Sequence, residues 1–513
     1  MKTIKISGPP GTGKTYYLIK QIENACKKYD FNRIGAVSYT KSAVEEIKAR
    51  VSKNLGYHGK AMSNMKTVHA NCFKMLGLGN EQVVEDDGRL VAEWNEAYPL
   101  WARPVMGFTP DDIEDPDESR DYRNKERFKQ INILRNRMIP IDRWLDNELI
   151  DIGKAWMSWM EENEYYDFTR MQEEAWKFKL CPDISVLFVD EAQDLSSLQI
   201  SLTRLWAEQC DTAIWIGDMD QAIMRFQGAV PEDFRDLEHD WENVLKQSYR
   251  VPRAVHAYAM KLIQQINDRR TPVEYLHREE EGQMTYSHGF PDFSAPGTHM
   301  IICRTQKMVA RWIKWLVYNE IPFTNPYRPD KAWNPTKTKL WEAVTSYDRL
   351  SRGMEINREE MTELLSSIKV KGNLIPGIKS HRKSLLDNAG LSMFNVFDLN
   401  ALGWFEPDFF NFDQYLGHVF SLDGQAGKIL DKVGREIVRE EPRIFVGTIH
   451  SVKGGEADHV WVDTSSIPVI EKASHESLQA FDDEVRLYYV AVTRAKQSCH
   501  LLNPNGLRSH AVI

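Results

Sequence analysis

Paired cysteines are missing from this chain. Its six cysteines, Cys26, Cys72, Cys181, Cys210, Cys303 and Cys499, form no CxxC pair. A zinc knuckle, an iron–sulfur site and a dense disulfide framework therefore lack support. Reduced thiols in a cytoplasmic compartment are the simplest reading. Long apolar runs are also missing, for none approaches the ~18 residues of a membrane span. The stretch from Met1 to Pro10 has no apolar core of the kind a secretory signal needs, so neither secretion nor membrane insertion is expected. Nor is there an excess of positive charge. The formal net charge is −9, which excludes a histone-like, globally basic binder but leaves room for a local basic groove.

What the chain does have is length and a repeating pattern. Its 513 residues correspond to about three to four domains. Ile4 and Ile6 share one face of a short strand that ends in a glycine-rich turn, and Leu18, Ile19, Ile22 and Ala25 follow at helical spacing. Residues 33–38 form a second apolar stretch, and 41–51 reads as a helix. Residues 184–189 and 212–217 are continuous apolar runs, and the pattern returns at 300–303, 444–448 and 459–462. Strand and helix in alternation predict an α/β fold of parallel sheets covered by helices, in two cores.

Two stretches interrupt that pattern. Residues 73–181 read as a helical insertion of the first core, which is otherwise 1–72 and 182–243. Residues 331–441 read as an insertion of the second core, 244–330 and 442–513, with loop-like pieces at 331–339 and 372–377. The first insertion is rich in tryptophan. Trp156, Trp159 and Met160 stand at i, i+3 and i+4 on one helix face, which favours core over a ligand box. An acidic run, Asp111 to Glu118, reads as a solvated loop. Arg120, Arg123, Lys125, Arg127, Lys129, Arg135 and Arg137 follow it, as an exposed helix face or as a phosphate-contacting arm. No internal repeat or low-complexity tract is evident.

Two motifs carry the chemistry. Gly8-Pro-Pro-Gly11-Thr12-Gly13-Lys14-Thr15 fits GxxxxGK[ST] and sits between a strand and a helix, the context of a phosphate loop. Glycines let backbone N–H groups approach phosphates at a helix N-terminus. Lys14 then meets the β- and γ-phosphates, and Thr15 meets Mg²⁺. Asp190 and Glu191 end the buried strand at 184–189, where ligands of open α/β sheets sit. Asp190 suits Mg²⁺, and Glu191 suits orienting and deprotonating an attacking water. Alone, the acidic pair would be a helix cap with a favourable dipole. Beside a phosphate loop it reads as an NTPase site.

The order of further elements resembles the superfamily 1 helicases of the UvrD/Rep/PcrA group. Val37 to Ala43 is similar to motif Ia, and Thr67-Val68-His69 to the TxH element. Asp190 to Asp194 matches the DExxD motif II, and Gly217 to Ala229 resembles motif III. Gln247 to Arg250, Val446 to Glu456 and Glu484 to Ala495 look like motifs IV, V and VI. The resemblance spans both cores and neither insertion. It implies two RecA-like cores with ATP in the cleft between them. Gln221 would sense the γ-phosphate, and Arg250 and Arg494 would reach it from the second core. Tyr249 would stack on the base and Glu456 would contact the sugar. Tyr39 and Phe226 fall at family positions where aromatics meet bases, and Thr40, His69, Thr448 and His450 at strand-contacting positions.

The resemblance thus implies an ATP- and Mg²⁺-dependent DNA helicase or single-strand translocase, moving 3′→5′, that acts on single-stranded DNA and duplex junctions. Replication or repair proteins are its expected partners. An RNA helicase, or a remodeller that displaces proteins without separating strands, is compatible with the same residues. Three departures stand out. The phosphate loop begins at Gly8, without the glutamine motif that reads adenine in the family. Met224 and Gln227 stand where relatives often have Tyr and Arg. Only 19 residues follow Arg494, and no further domain is expected there.

Overall fold

The computed structural model describes residues 2–84, 88–103, 120–267, 273–326, 334–465 and 467–503. The acidic run from Asp111 to Glu118, the Arg120 side chain and residues 331–333 of the loop-like piece lie outside the described residues. The first sheet takes β1 (Lys2–Ser7), β2 (Ile34–Ser38), β3 (Met65–Thr67), β4 (Val186–Val189), β5 (Thr212–Gly217) and β6 (Trp241–Val244). Its spatial order is β3-β2-β4-β5-β1-β6, and every neighbouring pair is parallel. Side chains alternate between two buried faces. Ile6, Phe188 and Ile214 pack with Leu18 and Ile22 of the helix Lys14–Ala25. Leu187, Val189 and Trp215 pack on the other side with Trp206 of the helix Ser197–Ala207. Burial on both faces is why these strands read as unbroken apolar runs.

Local signals fix the helix starts beside the sheet. The Thr40 hydroxyl accepts a hydrogen bond from Ala43 N at 3.1 Å and caps the helix Lys41–Leu55. Ser196 and Gln199 form a reciprocal capping box on Ser197–Ala207. Both helices begin at the C-terminal side of the sheet, so their first turns face the ends of β2 and β4.

Between β3 and β4 the chain leaves the sheet for the helices Arg89–Ala97, Arg120–Asn136, Asn147–Glu162 and Phe168–Lys177. Trp94, Trp144, Trp156 and Trp159 are buried in a hydrophobic cluster of their own. Trp94 meets Trp156 edge-on at 4.9 Å between ring centroids. Trp101 is half-buried and Trp176 exposed. The basic run divides. Arg135 is buried and pairs with Asp167 at 2.6 Å and with Glu173 at 2.7 Å. Arg127 pairs with Glu148, and Arg123 is exposed. Neither an exposed face nor a phosphate arm describes the whole run, because its C-terminal end is an internal ion-pair anchor.

The second core holds β7 (Gln283–Ser287) and β8 (His299–Cys303). Within 334–441 the short strands β9 (Ile356–Asn357) and β10 (Met393–Phe394) pair antiparallel. After them come β11 (Ile444–Thr448), β12 (Ala457–Asp463) and β13 (Ala495–Leu502). The second sheet runs β11-β8-β12-β13-β7, again all parallel. Met300, Ile302 and Val460 face Tyr489 of the helix Leu478–Val492. Ile301, Cys303 and Trp461 face the other way, into a cluster that continues unbroken to Trp341, Tyr347 and Phe420. The helices of 334–441 therefore share a core with the second sheet.

Candidate active site

The phosphate loop leaves β1 and turns into the helix Lys14–Ala25. Its lysine is held from two sides. Lys14 Nζ donates to the Gly8 carbonyl at 2.9 Å and lies 3.7 Å from Glu191 Oε1. The Thr12 hydroxyl closes the turn onto Pro9 O at 2.8 Å, and Thr15 is the second residue of the helix. Gly11 has φ +71°, and a Cβ there would stand 2.4 Å from Arg250 Cβ and 2.7 Å from Ser248 Oγ. Only glycine fits both that conformation and that contact. The segment pressed against it crosses from β6 to the second core. Ser248 Oγ donates to Pro10 O at 2.8 Å, and Tyr249 N donates to Gly11 O at 2.8 Å. This leaves Tyr249 73% exposed beside the loop.

Beyond β4, Glu191 adopts the left-handed conformation with φ 50° and ψ 43°, a strain of about 1–3 kcal/mol for a residue with a side chain. Gln193 Nε2 donates to Glu191 Oε2 at 2.6 Å and fixes the carboxylate. Burial raises the Asp190 pKa, and the charge on Glu191 raises it further; Lys14 opposes both. Burial raises Glu191 as well, but Lys14 and Lys453 outweigh it and keep its carboxylate ionised. Two adjacent carboxylates thus acquire opposite tendencies, the pattern that divides roles in acid–base sites. Asp190 Oδ1 and Asp194 Oδ1 are buried without a hydrogen-bond partner.

A chain of hydrogen bonds runs from this point into the second core. Gln193 Oε1 accepts from Asp218 N at 2.9 Å. Asp218 Oδ2 accepts from Gln221 Nε2 at 2.6 Å, and Gln221 Oε1 accepts from Arg494 Nη2 at 2.9 Å. Arg494 is buried and also donates through Nε to Val490 O at 2.9 Å. Lys453 makes a second bridge, since its Nζ donates to Gln221 O at 2.7 Å and pairs with Asp194. Arg250 Nε pairs with Glu456 at 2.7 Å. Burial raises the Glu456 pKa, but Arg250 outweighs it and the net shift is downward. The structure therefore gathers Lys14, Glu191, Gln221 and Arg494 into one connected set, with Asp190 beside Glu191. Arg250 and Glu456 form a pair with each other next to Gly11.

The residues expected to meet a strand divide into two groups. Phe226, 40% exposed, meets the His450 ring at 4.6 Å across the cores. Beside it the Tyr39 hydroxyl donates to Gln227 Oε1 at 2.5 Å. Burial pushes the His450 pKa down to about 3, so its ring is neutral. Met224 is buried in the second core's cluster and forms no outer wall. His69 sits apart from that pair, against Phe168 at 5.5 Å. Gln172 Nε2 lies 2.9 Å from His69 Nε2 and donates also to Phe168 O. The amide can only donate there, so His69 accepts through Nε2 and is neutral. The Thr40 hydroxyl caps its helix, and the Thr448 hydroxyl accepts from Ser451 N at 3.2 Å.

Sequence reasoning missed four connecting residues, Gln193, Asp218, Ser248 and Lys453. All four lie inside elements that were recognised, so a search for polar groups between the named positions would have found Gln193, Asp218 and Lys453. Ser248 carries no signal of its own, because its importance comes from the approach of Pro10.

Two parallel α/β cores, a phosphate loop and an arginine offered from the opposite core define a P-loop NTPase of the two-core type. Residues 1–242 match the UvrD/REP helicase N-terminal domain, and residues 428–502 match the UvrD-like helicase C-terminal domain. The chain belongs to the UvrD/Rep/PcrA helicase family. It is 21% identical to the ATP-dependent DNA helicase srs2 of Schizosaccharomyces pombe, over 72% of this chain and 45% of that protein. It is 21% identical to a protein of Mycoplasma capricolum named "Probable DNA helicase II homolog", over 99% of this chain and 83% of the other. With the ATP-dependent DNA helicase PcrA of Leuconostoc citreum it shares 20% identity, over 69% and 49%. The chain thus spans about half the length of the first and third of these relatives. Among the described residues no helix is long and apolar enough to cross a membrane.

Proposed function

We propose that this chain is an ATP-dependent DNA helicase and single-strand translocase that steps 3′→5′. The observation that carries the reading is the bond from Arg494 to Gln221, which joins the two cores beside the phosphate loop. Backbone N–H groups of the loop and Lys14 receive the phosphates. Thr15 and Asp190 supply hard oxygen donors for Mg²⁺, and the unpartnered, buried Asp190 Oδ1 fits a cation. A Mg²⁺ held by these residues would supply charge neutralisation to the phosphate oxygens. Glu191, held ionised by Lys14 and Lys453, takes the proton from the attacking water. Arg250 and Arg494 stabilise the charge on the transferred phosphoryl group, which makes hydrolysis depend on closure of the cleft. Tyr249 stacks on the base and Glu456 contacts the sugar. The domain division is that of the sequence reading, two RecA-like cores each with an insertion.

The strand runs over Tyr39 and Phe226, which stack with bases at about 1–3 kcal/mol each, and past Thr40, His69, Thr448 and His450. Duplex junctions meet the second insertion. Between Glu363 and Asp387 it carries Lys369, Lys371, Lys379, Arg382 and Lys383 with no acidic residue, and Lys369, Lys371 and Lys383 are exposed. The DNA helicase names of the relatives support DNA as substrate, and six free cysteines support a reducing, cytoplasmic setting. Replication or repair proteins are the expected partners.

The test is ATP hydrolysis without nucleic acid, with single-stranded DNA and with single-stranded RNA, beside Lys14→Ala. A forked duplex with a 3′ or a 5′ tail follows. DNA-stimulated hydrolysis that vanishes in the variant, with release of the strand from the 3′-tailed fork, is the expected result. Stimulation by RNA alone overturns the substrate. Hydrolysis on DNA with no strand release from either fork makes the chain a remodeller.

A further inference from the structure

A charged quartet joins the strand-contacting segment to the helix that precedes Arg494. Arg225 precedes Phe226, and its side chain is only 13% exposed. It pairs with Glu232 of its own core. Its Nε also lies 3.3 Å from Asp483 Oδ1 on the second core. Asp483 faces Arg486 at 3.4 Å, one helical turn further on. Glu232 and Arg486 line a cavity of about 1260 Å³ between the cores, so the quartet borders the gap that closure would change.

Two contacts then hold one helix to one segment. The helix Leu478–Val492 carries Asp483 and runs into Thr493 and Arg494. Arg494 bonds Gln221 at 2.9 Å, and Asp483 meets Arg225 four positions further along the same segment. About 16 Å of helix separates Asp483 from Arg494. One contact therefore stands at the nucleotide side and the other at the strand side, next to Phe226. The nucleotide-side contact is a hydrogen bond. The strand-side one is a looser ion pair, because Arg225 Nε and Arg486 Nε are both buried without a hydrogen-bond partner. Unused donors beside a shared carboxylate give this contact room to tighten when the cores approach.

We propose that Arg225 and Asp483 are a positioning pair, through which a strand on Phe226 sets the helix that presents Arg494. Neither touches nucleotide. The pair acts by fixing the angle of the helix, so that strand binding accelerates hydrolysis. This rests on the reading of the chain as a DNA-stimulated ATPase.

The experiment uses the full chain and oligothymidylate as the probe. Hydrolysis is measured without the strand and over a range of strand concentrations, for the wild type, Asp483→Asn, Arg225→Gln and the double variant. The expected result is a loss of about tenfold in the stimulated kcat in each single variant, and no further loss in the double. DNA-free hydrolysis and the strand concentration at half-stimulation stay as in the wild type. Asp483→Glu keeps the charge and is expected to retain stimulation, and it serves as the test if the neutral variants do not fold. Several results overturn the pair: full stimulation in the single variants, additive losses in the double, or weaker strand binding with kcat preserved. A folded Asp483→Glu that loses stimulation also overturns it. A wild type that ignores the strand overturns the helicase reading itself, a result distinct from all of these.

Discussion

Arg494 Nη2 donates to Gln221 Oε1 at 2.9 Å, although 273 residues separate the two in sequence. Gln221 is in turn held by Asp218, and Asp218 by Gln193, which also grips Glu191. The arginine of one core is thus connected to the candidate general base of the other by hydrogen bonds at every step. Such connected polar sets act as a unit, and their members are not additive on mutation.

Arg494→Lys keeps the charge and loses the planar fork that reaches Gln221 and Val490 together. The expected outcome is a fall of about 10³-fold or more in kcat for ATP, the scale of a lost arginine finger. Steady-state hydrolysis with saturating single-stranded DNA measures it. Hydrolysis within a factor of about ten of wild type would remove Arg494 from the chemistry.

Gly11→Ala forces a side chain into a left-handed backbone position and against Arg250 and Ser248. A cost of about 1–3 kcal/mol is expected from strain alone. The crossing segment must also move, so the shift in melting temperature produced by ATP should disappear. Differential scanning fluorimetry with and without nucleotide reads both effects.

Asp167→Asn leaves the Arg135 guanidinium buried, its side chain 3% exposed, without its nearest counter-charge. Trp156 Nε1, which donates to Asp167 at 2.8 Å, is disturbed as well. Removing one partner of a buried pair costs about 3–5 kcal/mol, and urea unfolding at neutral pH should show a loss of that order.

His69 gives stability a pH dependence with a definite sign. Burial holds its pKa down, at about 4, against a weaker upward pull from Asp167. The unfolded chain binds the proton at about 6.5. Between these values only the unfolded state is protonated, so this residue's contribution is intact above about pH 6.5 and is lost as pH falls toward 4. Urea unfolding at pH 7 and pH 5 should give a smaller difference for His69→Asn than for the wild type. An equal difference in both would show that this ring does not contribute to the acid sensitivity.

Much of the candidate site was legible from spacing. The phosphate loop, Asp190 and Glu191 announced themselves because a strand, a glycine turn and a helix are local structures. The runs at 184–189, 212–217 and 444–448 read as strands because burial on both faces leaves their centres apolar, although the first strand begins two residues later than read, at Val186. β3, β6 and β7 were not legible. They are short or half-exposed, and the sheet supplies the hydrogen bonds that make them strands. The basic run after the acidic loop was ambiguous for a related reason. Arg135 looks like its neighbours in sequence, and only the arrival of Asp167 and Glu173 makes it an internal anchor.

The sequence by itself determined the chemistry available to this protein: a phosphate cradle, two carboxylates at a strand end, and arginines and aromatics in a recognisable order. These follow from backbone conformation and side-chain type over a few neighbouring residues. Tertiary structure decided who meets whom. Ser248 reaches Pro10, Lys453 reaches Asp194, and Asp483 reaches Arg225. Each pairing depends on how the two sheets and the segments that leave them lie against each other, and interaction energies at such contacts change over a few ångströms that no local pattern encodes.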